Sequence, residues 1–95
     1  MYLHLGQSVV VRESSVVGVF DLDNTTSSHI TRKYLGYAEK EHRVISVSDE
    51  LPKSFIVCNE DNKTTIYLSQ LSSQTLLKRS LEIRNENAEM RNRYV

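Results

Sequence analysis

The chain is short of the residues on which most small-protein chemistry rests. Of its 95 residues one is cysteine and three are glycine. A single thiol, Cys58, permits no disulfide within the chain and suits a reducing compartment. So few glycines leave no glycine-rich phosphate loop, and no serine stands in a G-x-S-x-G nucleophile elbow. His4, His29 and His42 stand apart from one another and from Cys58, without the paired-ligand spacing of a metal site, so structural or solvated imidazoles are the better reading. Asp21 and Asp23 place two carboxylates at one strand end, but nothing downstream supplies further oxygen ligands at a recognisable spacing, and a polar strand end explains them. Charge of one sign is also missing: 12 basic and 12 acidic side chains give a sequence pI near 6.8. Any attraction for phosphate must therefore come from a local patch. No apolar run approaches the roughly 20 residues that span a bilayer. The N-terminus has no basic region followed by an apolar run, so the expected location is the cytoplasm. A non-enzymatic protein with no metal, no cofactor, no small-molecule substrate and no membrane contact is expected.

What is present is strongest between Lys53 and Leu81. Ser54 to Cys58 is apolar on both parities: Phe55 and Val57 face one way, Ile56 and Cys58 the other. A strand with no polar side belongs inside a sheet covered on both faces. Asn59 to Lys63 is a polar run that reads as a long hairpin tip, and Thr64 to Ser69 alternates again. In this second arm Ile66 and Leu68 are expected in the core, with Thr65, Tyr67 and Ser69 on a wetter surface. Ser72 or Ser73 then caps a helix that carries Leu76, Leu77 and Leu81. Cys58, in the apolar arm, is read as an inert buried thiol with a raised pKa.

The rest of the chain packs around this unit. Tyr2 to Leu5 and Ser8 to Arg12 form two short strands joined at Gly6-Gln7, and Val16 to Leu22 forms the next, with Gly18 marking a bulge or a close neighbour. The run Asp23 to Ser28 favours turns and caps, so Ser27 or Ser28 starts a helix to about Glu41 with Ile30, Tyr34, Tyr37 and Ala38 on its apolar face. Gly36 weakens that helix by about 1 kcal/mol relative to alanine. Val44 to Val47 is a further short strand, and Ser48 to Pro52 a loop. Residues 84–95 are polar apart from Met90 and Tyr94, and read as a helical extension or a frayed tail. Without a repeat or a linker the expectation for 1–95 is one α+β domain. It has about five to six short, mostly antiparallel strands, a middle helix and a C-terminal helix.

Charge patches remain. Lys53 precedes the central strand, Lys78 and Arg79 follow on the C-terminal helix, and residues 71–95 hold five basic and three acidic side chains. On composition a solvated helix face explains these at least as well as phosphate contact does. A second cluster, Arg32, Lys33, Lys40 and Arg43, is expected to be blunted by Glu39 and Glu41, and neither cluster shows interleaved aromatics suited to base stacking.

The order of several short motifs resembles the RemA/RemB group of bacterial extracellular-matrix and biofilm regulators, and more the RemB branch. The carrying residues are Tyr2-Leu3-His4-Leu5-Gly6, Val16-Val17-Gly18-Val19-Phe20-Asp21, Pro52-Lys53-Ser54-Phe55-Ile56-Val57, and Ile66-Tyr67-Leu68-Ser69 with Leu76-Leu77-Lys78-Arg79. The resemblance implies a fold in part like LytTR DNA-binding domains, a homo-oligomeric ring and phosphate contacts to double-stranded DNA. It implies arginines in the loop before the central strand. Here that loop reads Asp49-Glu50-Leu51-Pro52-Lys53, and Ser15 stands where a base is expected before Val16. The expected nucleic-acid contacts are Lys53, Lys78 and Arg79. The alternative is an oligomeric protein–protein adaptor that makes no DNA contact.

Overall fold

The computed structural model describes residues 1–22 and 28–82, with the backbone alone over 28–31. Tyr2–Gly6 (β1) and Val9–Arg12 (β2) pair as an antiparallel hairpin. A single turn of 3-10 helix, Glu13–Ser15, leads into Val16–Asp21 (β3). Then follow Ser28–Lys40 (α1), Val44–Ser46 (β4), Ser54–Glu60 (β5), Lys63–Ser69 (β6) and a second helix (α2) over residues 73–82. The main sheet has the order β3-β5-β6-β4, and β1-β2 form a separate two-stranded sheet. Among the described residues this is an α+β fold of six strands and two helices. Two expectations, Asp23 with the Ser27 or Ser28 cap and the tail at 84–95 with Met90 and Tyr94, lie outside the described residues, as does the side chain of Ile30.

Strand directions explain where the helix goes. β3 is antiparallel to β5, β5 to β6, and β4 runs parallel to β6, so β3 and β4 point the same way at opposite edges. Such a connection needs a crossover, and α1 supplies it by passing over one face of the sheet. The other face is covered by the N-terminal hairpin and α2. β5 is thus buried on both sides, as its unbroken apolar run requires. Ile56 and Cys58 join Leu3, Leu5, Val11, Val47 and Leu76 in one core, while Phe55 meets Ile66 and Ala38 in the other.

Local chemistry sets the irregular points. Between Val16 and Gly18 the β3 register slips, leaving Val17 as a bulge. A Cβ on Gly18 would lie 2.8 Å from the Phe20 ring, which stacks on Phe55 with centroids 4.8 Å apart, so the glycine gives room to that ring. The β5–β6 tip is tighter than expected. Glu60 pairs with Lys63, and Asp61 and Asn62 alone turn the chain, both at positive φ (53° and 63°), the geometry of a type I′ turn. α1 ends in a Schellman arrangement: the His42 amide donates to the Glu39 carbonyl (3.0 Å) and the Arg43 amide to that of Ala38 (2.9 Å), with His42 at φ 58°. Ser72 caps α2, its hydroxyl accepting from the Thr75 amide at 3.1 Å.

Three expectations about facing are corrected. Ser69 is fully buried, because its hydroxyl donates to the Leu5 carbonyl and accepts from the Leu71 amide at 3.0 Å. On α1 the inward pair is Leu35 and Ala38, and Tyr34 and Tyr37 are exposed. On α2 only Leu76 is in the core, whereas Leu77 and Leu81 are exposed. Ser69 is drawn in by its hydrogen bonds and Ala38 by the close approach of the sheet, while on α2 the three leucines differ in the side of the helix they occupy and not in size or polarity.

Candidate nucleic-acid interface

Lys53 is exposed, and its backbone is clamped between two strands. Its amide donates to the Ser69 carbonyl at 2.8 Å, and its own carbonyl accepts from the Leu22 amide at 3.0 Å. The ammonium therefore leaves from a fixed point at the end of the sheet. The preceding loop is acidic and held in place, since the Glu50 amide donates to the Ser48 hydroxyl at 3.0 Å. Asp49 and Glu50 are exposed beside a leucine, Leu51, that is 86% exposed.

Lys78 and Arg79 belong to another element and do not act alike. α2 starts next to the buried Ser54, whose hydroxyl donates to the Leu71 carbonyl at 2.8 Å, and runs over β1. Arg79 Nη1 donates to the His4 carbonyl at 3.3 Å, and the Ser80 hydroxyl to Glu13 Oε1 at 3.4 Å. Part of the Arg79 fork is thus engaged in tying α2 to β1. Lys78, one residue earlier and rotated by about 100° around the helix, is exposed.

Cys58 sits at the base of a hollow of about 450 Å³ lined by Arg12, Ser15, Glu60, Lys63 and Tyr67 among others. Burial pushes the Cys58 thiol up, the Ser15 hydroxyl draws it down, and Glu60 adds to the rise. Tyr67 is raised by burial first, then by Cys58 and Glu60. A thiol held neutral is a poor nucleophile. Arg12 lies 3.8 Å from Glu60, so the hollow's rim mixes both signs of charge. Among the described residues no group of three or more His, Cys, Asp or Glu could hold a metal ion, and no helix is long and apolar enough to cross a membrane.

The middle cluster differs from its reading in sequence. Arg32, Lys33 and Lys40 are exposed on α1 together with Tyr34 and Tyr37, so aromatic side chains do interleave with the cations. Arg43 Nε donates to Glu41 Oε2 at 2.8 Å, which leaves Glu39 rather than both glutamates to offset the helix cations. The signal available in sequence was Gly36, placed in a helix where no turn requires it.

Comparison with known proteins decides the family. The RemA-like model, described as extracellular matrix regulatory protein A-like, matches residues 2–80. The chain belongs to the RemA-like family. It is 38% identical over 80 residues, 84% of this chain and 90% of the relative, to extracellular matrix regulatory protein B of Bacillus subtilis (strain 168). The matched span of this RemA-like chain covers all six strands, α1 and most of α2.

Proposed function

We propose that this RemA-like chain is a non-enzymatic regulator of extracellular-matrix genes that acts in the cytoplasm as a homo-oligomeric ring and holds double-stranded DNA through phosphate contacts. The observation that carries this reading is Lys53, an exposed cation on a backbone held by hydrogen bonds to both flanking strands. Such a group positions a protein on a polyanion without reading bases. Lys78 adds a second contact and Arg79 a third with its remaining donors. One subunit offers too few cations for tight attachment, but a ring repeats them, and avidity then exceeds single-site affinity by about 10²–10⁴. Self-association is supported by the open outer edges of β3 and β4. Both carry exposed apolar side chains, Val17 and Phe20 on β3 and Ile45 on β4, and a hollow of about 350 Å³ between β3 and α2 is walled by Val17, Val19 and Leu77. Exposed strand edges of this kind call for a cover, and two different edges meeting head to tail can close a ring.

The acidic loop supports a second reading, an oligomeric protein–protein adaptor. Asp49 and Glu50 repel phosphate, and the exposed Leu51 offers an apolar anchor for a protein partner. Fluorescence anisotropy with specific and random duplexes over a salt series separates the two. DNA binding predicts that Lys53→Glu weakens both duplexes alike and lowers the salt slope by about 1. No binding by the wild type at low ionic strength leaves the adaptor.

A further inference from the structure

A glycine inside a helix lowers its stability and calls for a reason. Among the described residues Gly36 has none: a Cβ built there meets nothing within 4 Å. With Leu35 and Ala38 turned to the core, the 3.6-residue period of the helix puts Lys33, Gly36, Tyr37 and Lys40 on the opposite, outward side. Lys33 and Lys40 are seven residues apart, about 10 Å along the axis, and Gly36 leaves bare backbone between them. Arg32 is exposed on the flank, and Tyr37 is 58% exposed. Glu41, the acid that sequence order places nearest this stripe's C-terminal end, is held by Arg43 at 2.8 Å. Glu39 is exposed on the flank near Arg32 and is the acid that remains to offset the cations of this face.

From this arrangement we infer that the outer face of α1 is a second phosphate-binding surface for duplex DNA, distinct from Lys53 and α2. Lys33 and Lys40 contact phosphates on either side of the gap, the Tyr37 hydroxyl donates to a phosphate oxygen, and Gly36 lets the sugar–phosphate backbone approach the helix without a side chain between. Tyrosine and lysine are both common phosphate partners. An anionic lipid surface is disfavoured because an interfacial helix needs an apolar face to insert, and the apolar face of α1 is already spent on Phe55 and Ile66. The inference extends the DNA reading above, and its test tells the two apart.

The experiment is anisotropy of a labelled random duplex with the full chain over a salt series, each variant checked for fold by circular dichroism and for assembly by native mass spectrometry. Lys33→Gln/Lys40→Gln is expected to lower affinity about tenfold at low salt and to make the salt slope shallower by about 2. Gly36→Leu is the sharper probe. It meets open space and improves helix propensity, so the fold holds while binding drops by a similar factor; Tyr37→Phe gives a smaller loss. If these variants bind as wild type while Lys53→Glu does not, the α1 surface is wrong and the Lys53 reading stands. If the wild type binds no duplex, both fall. Binding of phosphatidylserine vesicles that depends on Lys33 and Lys40, without duplex binding, also overturns the inference.

Discussion

The two faces of the main sheet are built to different standards. Against one lie the N-terminal hairpin and α2, with seven buried apolar residues including Leu3, Leu5, Ile56 and Leu76. Side chains also lock this face to backbone at long range: Ser69 to Leu5, Ser54 to Leu71, Arg79 to His4. Against the other lies α1, whose fully buried side chain among the described residues is Ala38, with Phe55 and Ile66 from the sheet and Leu35 partly buried beside them. The first face carries stability. The second is the smaller cluster among the described residues, and the outer surface of its helix carries exposed tyrosines and lysines.

The contrast can be broken most strongly at the thicker core. Leu76→Ala removes the only α2 side chain in that core among the described residues and is expected to lower the unfolding free energy by about 3 kcal/mol; a urea titration that shows less than 1 kcal/mol would mean that α2 is not held there. Ser69→Ala should cost about 2 kcal/mol, since it strips a buried carbonyl and a buried amide of a shared partner. Its signature is loss of amide-exchange protection in β1 as well as β6. A smaller effect, about 1 kcal/mol, is expected for Ile66→Val on the α1 side.

A pH titration sharpens the comparison further. The Cys58 and Tyr67 protons are both held more tightly in the folded chain than in the unfolded one. The unfolded chain therefore loses its thiol proton first. Stability from this source is complete below the ordinary thiol range of about 8.5 and declines as pH rises through it. Cys58→Ala should flatten the thiol part of that decline in thermal melts at several pH values, and assembly should be unchanged. The smallest effect has the opposite sign: Gly36→Ala is expected to stabilise by up to about 1 kcal/mol, and a destabilisation would show that the gap is filled within the chain.

β5 was legible because apolar residues on both parities can be satisfied only by a sheet covered twice. The irregularity at Gly18, read as a bulge or a close neighbour, and the cap at Ser72 or Ser73, which falls on Ser72, were legible for similar local reasons. α1 was misread because Tyr34, Tyr37 and Ala38 make as good a stripe as Leu35 and Ala38 do, and a tyrosine fits either side of a helix. Only the sheet beneath, with Phe55 and Ile66 demanding close contact, decides. The tip at Asp61-Asn62 was read too long because strand ends exposed to water can be polar. Ser69 was placed in water because its partner, Leu5, is 64 residues away. Of the candidate site, Lys53 stands where a strand entry can present it; the pull of Arg79 onto β1 joins residues 75 apart and has no mark in the local sequence, whereas the pairing of Glu41 with Arg43 is local, between opposite charges two residues apart.

The bond from Ser69 to Leu5 also orders events in time. Leu5 is synthesised 64 residues ahead of Ser69, its hydrogen-bond partner on the main sheet. At roughly 5–20 residues per second this is an interval of several seconds. For most of that interval the hairpin of Tyr2 to Arg12 lacks β5, which is complete only at Glu60, and throughout it lacks α2; a two-stranded hairpin alone is at best marginally stable. The hairpin thus settles well after it is synthesised, and a chain cut short before Ser69 would lose the bond that ties Leu5 to the main sheet.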